Sequence, residues 1–203
     1  MTARRRIVIA TGNRGKLAEI ARVLAGFPFD FAVQSDFDVP EAAETGLTFV
    51  ENAILKARNA AAFTGLPALA DDSGLEVDAL AGAPGIYSAR YAGPGASDAE
   101  NNDKLLAALA DVPASGRGCR FRSVVVFLAH AGDPMPVIAS GTWEGRVREA
   151  PSGGGGFGYD PLFEPAGLDV TAAELDPVEK NRRSHRGQAL AALRSALSDA
   201  ARP

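Results

Sequence analysis

Apolar and polar positions along this chain switch between a strand-like and a helix-like period, and the switches mark out its elements. Ile7 to Ala10 is an unbroken apolar run with β-branched residues, the pattern of a strand buried on both faces. Thr11-Gly12-Asn13-Arg14-Gly15 interrupts it, and Lys16 to Leu24 then places Leu17, Ile20, Ala21 and Leu24 on one helical face. Phe29 to Val33 predicts a second strand, followed by an acidic loop containing Glu41 and Glu44. Thr48-Phe49-Val50-Glu51 reads as a capping box that opens an Ala-rich helix to about Phe63. On it Asn52 and Lys56 stand one turn apart and share a face. A short apolar stretch, Pro67 to Ala70, ends in Asp71-Asp72-Ser73-Gly74, a composition that predicts a turn. If that segment is extended, its two carboxylates point to opposite faces and serve different tasks.

The second half repeats these signals. Ser97-Asp98-Ala99-Glu100 is another capping box, opening a helix whose Leu105, Leu106 and Leu109 face the core. Arg120 to Ala129 and Met135 to Thr142 predict two strands joined by Gly132-Asp133-Pro134, antiparallel by the shortness of the link, with Gly145 to Arg148 as a further strand. The sheet is therefore expected to be mixed. Ser152-Gly153-Gly154-Gly155-Gly156-Phe157-Gly158-Tyr159-Asp160-Pro161 contains the glycine spacing of a dinucleotide loop, but Pro161 follows and no helix opens, which excludes that reading. Such a stretch is either a flexible hairpin loop or a backbone that approaches a ligand closely, with Phe157 and Tyr159 as covers for a flat ring. Asp176-Pro177 predicts a cap and first turn for a short helix carrying Glu179 and Lys180. Ser184 then caps a last helix with the core stripe Leu190, Leu193 and Leu197. His185 and Arg186 stand at its N-terminus, where cations oppose the helix dipole, which points to an anionic or acceptor-rich partner. No repeat or linker divides residues 1–203, so one domain, two-lobed around a cleft, is the simplest account.

Composition narrows the function. The 203 residues carry a net charge of -4, which gives no bulk attraction to polyanions; Arg4 to Arg6 and Lys180 to Arg186 are the only basic stretches a nucleic-acid role could use. A single cysteine, Cys119, excludes an intrachain disulfide and suits a reducing, cytoplasmic setting. Arg4-Arg5-Arg6 before Ile7 to Ala10 faintly resembles the start of a secretion signal, but the apolar run is too short, and no stretch is long enough to span a membrane.

The candidate chemistry is that of hard oxygen ligands and dispersed cations. Glu44 and Asp71-Asp72 supply carboxylates, while Lys16, Lys56, Lys180 and Arg186 lie at separate turns. One or two carboxylates together with substrate phosphates is how magnesium is usually held. One Cys and two His, His130 and His185, without ligand spacing exclude a thiolate or imidazole centre. The strand, glycine turn and helix at Thr11 to Lys16 fits either an anion site or a plain connection, and it is not a P-loop, because Leu17 stands where Ser or Thr is required. These residues point to a magnesium-dependent enzyme acting on a nucleoside phosphate.

Six ordered motifs sharpen that reading: Thr11-Gly12-Asn13-x-x-Lys16, Glu44-Thr45-Gly46-x-Thr48-Phe49-x-Glu51-Asn52-Ala53-x-x-Lys56-Ala57, Asp71-Asp72-Ser73-Gly74-Leu75, Pro84-Gly85-Ile86-Tyr87-Ser88-Ala89-Arg90-Tyr91, Phe157-Gly158-Tyr159-Asp160-Pro161 and Ser184-His185-Arg186-Gly187. Together they resemble the inosine triphosphate pyrophosphatases, also called XTP/dITP diphosphatases, from about Ile7 to Leu197. The resemblance implies an α/β fold, a two-lobed single domain around a long mixed β-sheet flanked by helices, with the active-site cleft between the lobes, and a homodimer. It implies hydrolysis of non-standard purine triphosphates (ITP, dITP, XTP) to monophosphate and pyrophosphate, which cleanses the nucleotide pool, without a nucleic-acid or membrane partner. In that family pattern Thr11, Gly12, Asn13, Arg14, Gly15 and Lys16 cradle the phosphates and Lys56 contacts them. Glu44 and Asp72 hold Mg2+, and Asp72 accepts the proton of the attacking water. Ser73, Phe157, Gly158, Tyr159, Asp160, Lys180, His185 and Arg186 line the nucleotide site, with Arg186 and the amides of 156–159 expected as donors to the base. A general nucleotide pyrophosphatase and a catalytically silent nucleotide-binding module are the alternatives.

Overall fold

The computed structural model describes residues 5–27 and 29–200; Arg4, part of the basic stretch considered above, lies outside them. Six strands form one open mixed sheet in the order β2-β1-β3-β4-β5-β6: β1 Arg5–Ile9, β2 Phe29–Val33, β3 Ala68–Val77, β4 Gly118–Leu128, β5 Val137–Val147 and β6 Phe163–Pro165. The helices are α1 Arg14–Val23, α2 Phe49–Thr64, α3 Asp98–Ala108, α4 Pro177–Arg183 and α5 His185–Ala200. β1 runs parallel to both β2 and β3, while β6 is antiparallel to β5, so the α/β fold with a mixed sheet is as expected.

The chain folds into two compact units. The first takes the chain up to Asp72, Ser123–Gly141 and everything from Arg186 onward. Its core follows the period-2 alternation of its strands. Ile7, Ile9, Leu69, Val125 and Phe127 point to one face, where they meet Ile20 and Leu24 at α1 and Leu190 and Leu193 of α5. Val8, Ala10, Ala68, Ala70, Val126 and Leu128 point to the other, against Ala53, Ala57, Ala60 and Ala61 of α2. β1 is thus buried on both sides, as its unbroken apolar run requires. The alanine face of α2 lets that helix lie close to the sheet.

The second unit takes Ser73–Arg122 and Thr142–His185. Here Leu75, Val77, Cys119, Phe121 and Trp143 face a core completed by Leu105, Leu109, Tyr159, Leu162 and Phe163. Alternate positions carry charge on the opposite face: Arg120 pairs with Asp78 at 2.8 Å and Glu144 at 3.0 Å, and Arg122 with Glu76 at 3.0 Å. This is the alternation of a half-solvated sheet.

Two expectations need correction. Asp71-Asp72-Ser73-Gly74 is not a turn but the middle of the ten-residue β3. Turn-forming composition is a local preference, and the place of β3 inside the sheet, between β1 and β4, overrides it; β1 itself pairs with β3 at Ala68 and Leu69, just before the acidic pair. Gly145 to Arg148 is not a separate strand, since β5 continues without a break to Val147.

Candidate active site

Because β3 is extended through the acidic pair, Asp71 and Asp72 face opposite sides of the first unit. Asp71 follows the face of Leu69, toward α1 and α5. There its carboxylate accepts a hydrogen bond from Ser123 Oγ at 2.6 Å and pairs with Lys16 Nζ at 2.9 Å and Arg186 at 3.3 Å. Arg186 is one of the largest fully buried side chains of the molecule and also pairs with Glu19 of α1. Burial alone would raise the Asp71 pKa, but the Arg186 and Lys16 charges and the Ser123 hydrogen bond hold it well below the usual carboxylate range. The Lys16 pKa is also lowered, here by burial, which outweighs the pull of Asp71. The anionic partner expected from cations at the start of α5 is therefore internal, Glu19 and Asp71.

Lys16 comes from the first turn of α1. Asn13 caps that helix, its Oδ1 accepting the Lys16 amide at 2.9 Å, while Thr11 Oγ1 accepts the Asn13 amide at 3.2 Å. Gly12, Asn13 and Arg14 are exposed, so the expected phosphate cradle is an open turn that leads into a helix N-terminus.

Asp72 follows the face of Ala70, toward α2. Lys56 Nζ lies 2.5 Å from its Oδ1 and 3.1 Å from Glu44 Oε1. Glu44 stands in the loop before α2 and Lys56 two turns into the helix, so three segments far apart in sequence converge on one ammonium group. Burial and charge both act on the protonation equilibria here. Burial raises the Asp72 pKa, against the pull of Lys56. Burial would lower Lys56, but Asp72 and Glu44 together raise it. Among the described residues no group of three or more His, Cys, Asp or Glu side chains is placed to hold a metal. Two hard-oxygen ligands already converging on a cation fit a divalent ion that takes its remaining ligands from phosphate and water.

In the second unit, Phe157 to Asp160 form a tightly bonded turn. The Asp160 carboxylate accepts the Phe157 amide at 2.7 Å and pairs with Lys180 Nζ at 2.6 Å. Lys180 also lies over the Phe157 ring, 5.1 Å from its centre. Gly158 is held from α3 on both its polar atoms: its amide donates to Asp98 at 2.7 Å and its carbonyl accepts from Asn102 at 3.0 Å. Tyr159 donates to the Ser88 carbonyl at 2.9 Å, and His185 stacks on Phe121 at 4.7 Å with the rings 12° apart. Ser73, also in this unit, is the half-buried next residue of β3.

The first unit thus gathers Thr11 to Lys16, Glu44, Lys56, Asp72 and Arg186, and the second gathers Phe157 to Asp160 and Lys180, with His185 on Phe121. Two expected base donors are otherwise engaged, since the Phe157 and Gly158 amides are bonded to carboxylates of their own unit. Arg186 is likewise committed to Glu19 and Asp71. Ser123, Glu19, Asp98 and Asn102 escaped the sequence reading. Glu19 follows Lys16 by one turn and Ser123 shares a strand face with Val125 and Phe127, signals that become usable only once strand and helix partners are known.

A model of the Ham1 family matches residues 7–196 of this chain. The chain belongs to the Ham1 family. It is 65% identical over 188 residues to the dITP/XTP pyrophosphatase of Thioalkalivibrio sulfidiphilus, covering 93% of this chain and 96% of that protein. It is 57% identical over 195 residues to the dITP/XTP pyrophosphatase of Vibrio cholerae, covering 96% and 98%. The solved structure of a HAM1 protein from Coxiella burnetii superposes with a TM-score of 0.89 at 51% identity, covering 96% of this chain and 99% of that one. A dITP/XTP pyrophosphatase from Mycobacterium abscessus superposes with a TM-score of 0.75 at 45% identity, covering 93% and 98%. This Ham1 chain therefore matches its relatives over nearly its whole length, and all six motifs quoted above lie within the matched span.

Proposed function

We propose that this chain is a magnesium-dependent pyrophosphohydrolase that converts dITP, ITP and XTP to the monophosphate and pyrophosphate. The observation that carries the reading is the convergence of Glu44, Lys56 and Asp72, within 3.1 Å of one ammonium nitrogen. The dITP/XTP pyrophosphatases at 65% and 57% identity supply the substrate class.

Water attacks the α-phosphorus; the new P–O bond forms as the bond to the pyrophosphate oxygen breaks, and the water's proton passes to Asp72. A carboxylate whose pKa burial has raised is better suited to that transfer than an ordinary surface acid. Lys56 keeps Asp72 oriented and offers positive charge to the phosphates, as does Lys16 at the α1 turn. Glu44 and Asp72 would hold the magnesium, which when bound neutralises charge on the departing pyrophosphate. Asp71, locked among Arg186, Lys16 and Ser123, sets the position of Lys16 and takes no proton at neutral pH. Phe157 to Asp160, Ser73, Lys180 and His185 are assigned to the nucleoside by the motifs they occupy. A homodimer in the cytoplasm belongs to the same reading, supported by the family resemblance and the single, buried cysteine. No helix among the described residues is long and apolar enough to cross a membrane.

A panel of ITP, dITP, XTP, GTP and ATP with magnesium, reporting pyrophosphate and orthophosphate separately, tests this. The expected result is pyrophosphate release from the first three, with ATP slower by about 10² to 10⁴ in kcat/KM. Equal turnover of ATP would make the chain a general nucleotide pyrophosphatase, and orthophosphate as product would remove the proposed bond cleavage.

A further inference from the structure

The residue that sets Glu44 in place is, we infer, Asn52, acting as a positioning residue for the metal-binding loop; this rests on the magnesium role proposed for Glu44. Asn52 is fully buried on α2, one turn before Lys56, on a helix whose other buried positions are alanines. Its Nδ2 has no hydrogen-bond partner among the described residues. A buried amide with half its capacity unused lowers stability unless the other half acts. What the other half does is specific: Oδ1 accepts the Gly46 backbone amide at 2.9 Å, two residues beyond Glu44.

Gly46 is built to make that approach. A Cβ there would lie 2.5 Å from Glu51 Cβ and 2.8 Å from Asn52 Oδ1, so any side chain would push the loop off the helix. The same helix holds the loop at two further points. Glu51 accepts the Leu47 amide at 2.8 Å, and Asn59 donates to the Pro40 carbonyl at 2.7 Å. Lys56 lies between these anchors in sequence and is the group that meets Glu44, at 3.1 Å. α2 thus fixes the loop backbone on both sides of Glu44 and presents the cation that holds its side chain. Of the three loop residues held, Gly46 is the closest in sequence to Glu44, and Asn52, which holds it, is the fully buried anchor.

The test compares wild type with Asn52→Leu, Asn52→Asp, Gly46→Ala and Glu44→Gln in the full chain. Two readouts are followed: the magnesium concentration giving half-maximal ITP turnover, and amide hydrogen exchange at residues 44–48 without metal or nucleotide. Asn52→Leu and Gly46→Ala are expected to raise the half-saturating magnesium about five- to tenfold and to speed exchange at Gly46 and Leu47. Asn52→Asp, which keeps an acceptor at Oδ1, should retain slow exchange at Gly46 even though its buried carboxylate lowers thermal stability. If Asn52→Leu loses thermal stability but keeps the wild-type magnesium dependence while Glu44→Gln shifts it, Asn52 is structural and the inference is overturned with the Glu44 assignment standing. If Glu44→Gln itself leaves the magnesium dependence unchanged, that assignment falls and the inference falls with it. Should Asn52→Leu fail to fold, Gly46→Ala decides by the same two measurements.

Discussion

Asp71 and Asp72 are chemically identical neighbours, and their surroundings shift their pKa values in opposite directions. Asp71 has no exposed side-chain surface and its partners include Ser123 and the cations Lys16 and Arg186, which hold its pKa down. Asp72 shares one lysine with Glu44, and burial raises its pKa. Asp72→Asn is accordingly expected to lower kcat by roughly 10² to 10⁴, the range for losing a positioned base, with a small change in denaturation midpoint. Asp71→Asn should instead cost stability, roughly 3–5 kcal/mol, because it leaves Arg186 and Lys16 short of their shared counter-charge. Steady-state kinetics and urea denaturation of both variants settle the pair, and a larger kinetic loss at Asp71 would reverse the roles. That the two carboxylates face apart was legible in the sequence, since neighbours on an extended segment do so. The commitment of Arg186 was not: its partner Glu19 lies 167 residues away, and no local pattern encodes a pair of that separation.

Helix starts were the most legible elements, because a cap is a short-range device. Thr48 and Ser97 accept the Glu51 and Glu100 amides as their boxes predict. Glu51, however, reaches one residue further back than the usual box, to the Leu47 amide, and so ties the helix start to the Glu44 loop. The turn expected in β3 rested on the local preference of Asp, Ser and Gly, and the sheet that holds the segment extended is built from strands distant in sequence. The start of α3 has a second function that the capping pattern conceals: Asp98, exposed beside Ser97, accepts the Gly158 amide. Asp98→Ala should therefore raise KM for ITP roughly three- to tenfold with kcat nearly unchanged, as the Phe157 to Asp160 turn loses one anchor. Ser97→Ala is the control for a helix-wide effect, expected to lower stability by about 1 kcal/mol and leave KM alone. Equal KM shifts in the two variants would mean that α3 as a whole, and not the Asp98 contact, positions the turn.

At the scale of the whole molecule, one buried thiol should contribute to an alkaline loss of stability. Cys119, the only cysteine, lies in the core of the second unit beside Phe121 and Trp143. Burial pushes its thiol from the ordinary value near 9 up to about 12, the nearby Arg120 notwithstanding. The sign follows from proton binding: above the ordinary value the unfolded chain releases the thiol proton while the folded chain keeps it, so the unfolded state gains. Stability present below pH 9 is therefore lost at roughly 1.4 kcal/mol per pH unit as pH rises toward the folded value. Lysines and tyrosines titrate in the same window, so the measurement is a difference. Cys119→Ala carries a constant cost from lost packing but no thiol, and its deficit against wild type should shrink as urea midpoints are compared from pH 8 to pH 10.5. Alkylation of native wild type should be correspondingly slow at pH 8, and should report opening of the second unit, because a thiol so shifted presents roughly a thousandfold less thiolate than a free one. A deficit that stays constant with pH, together with rapid native alkylation, would show that Cys119 is open to solvent and that the core of this unit is looser than its packing implies.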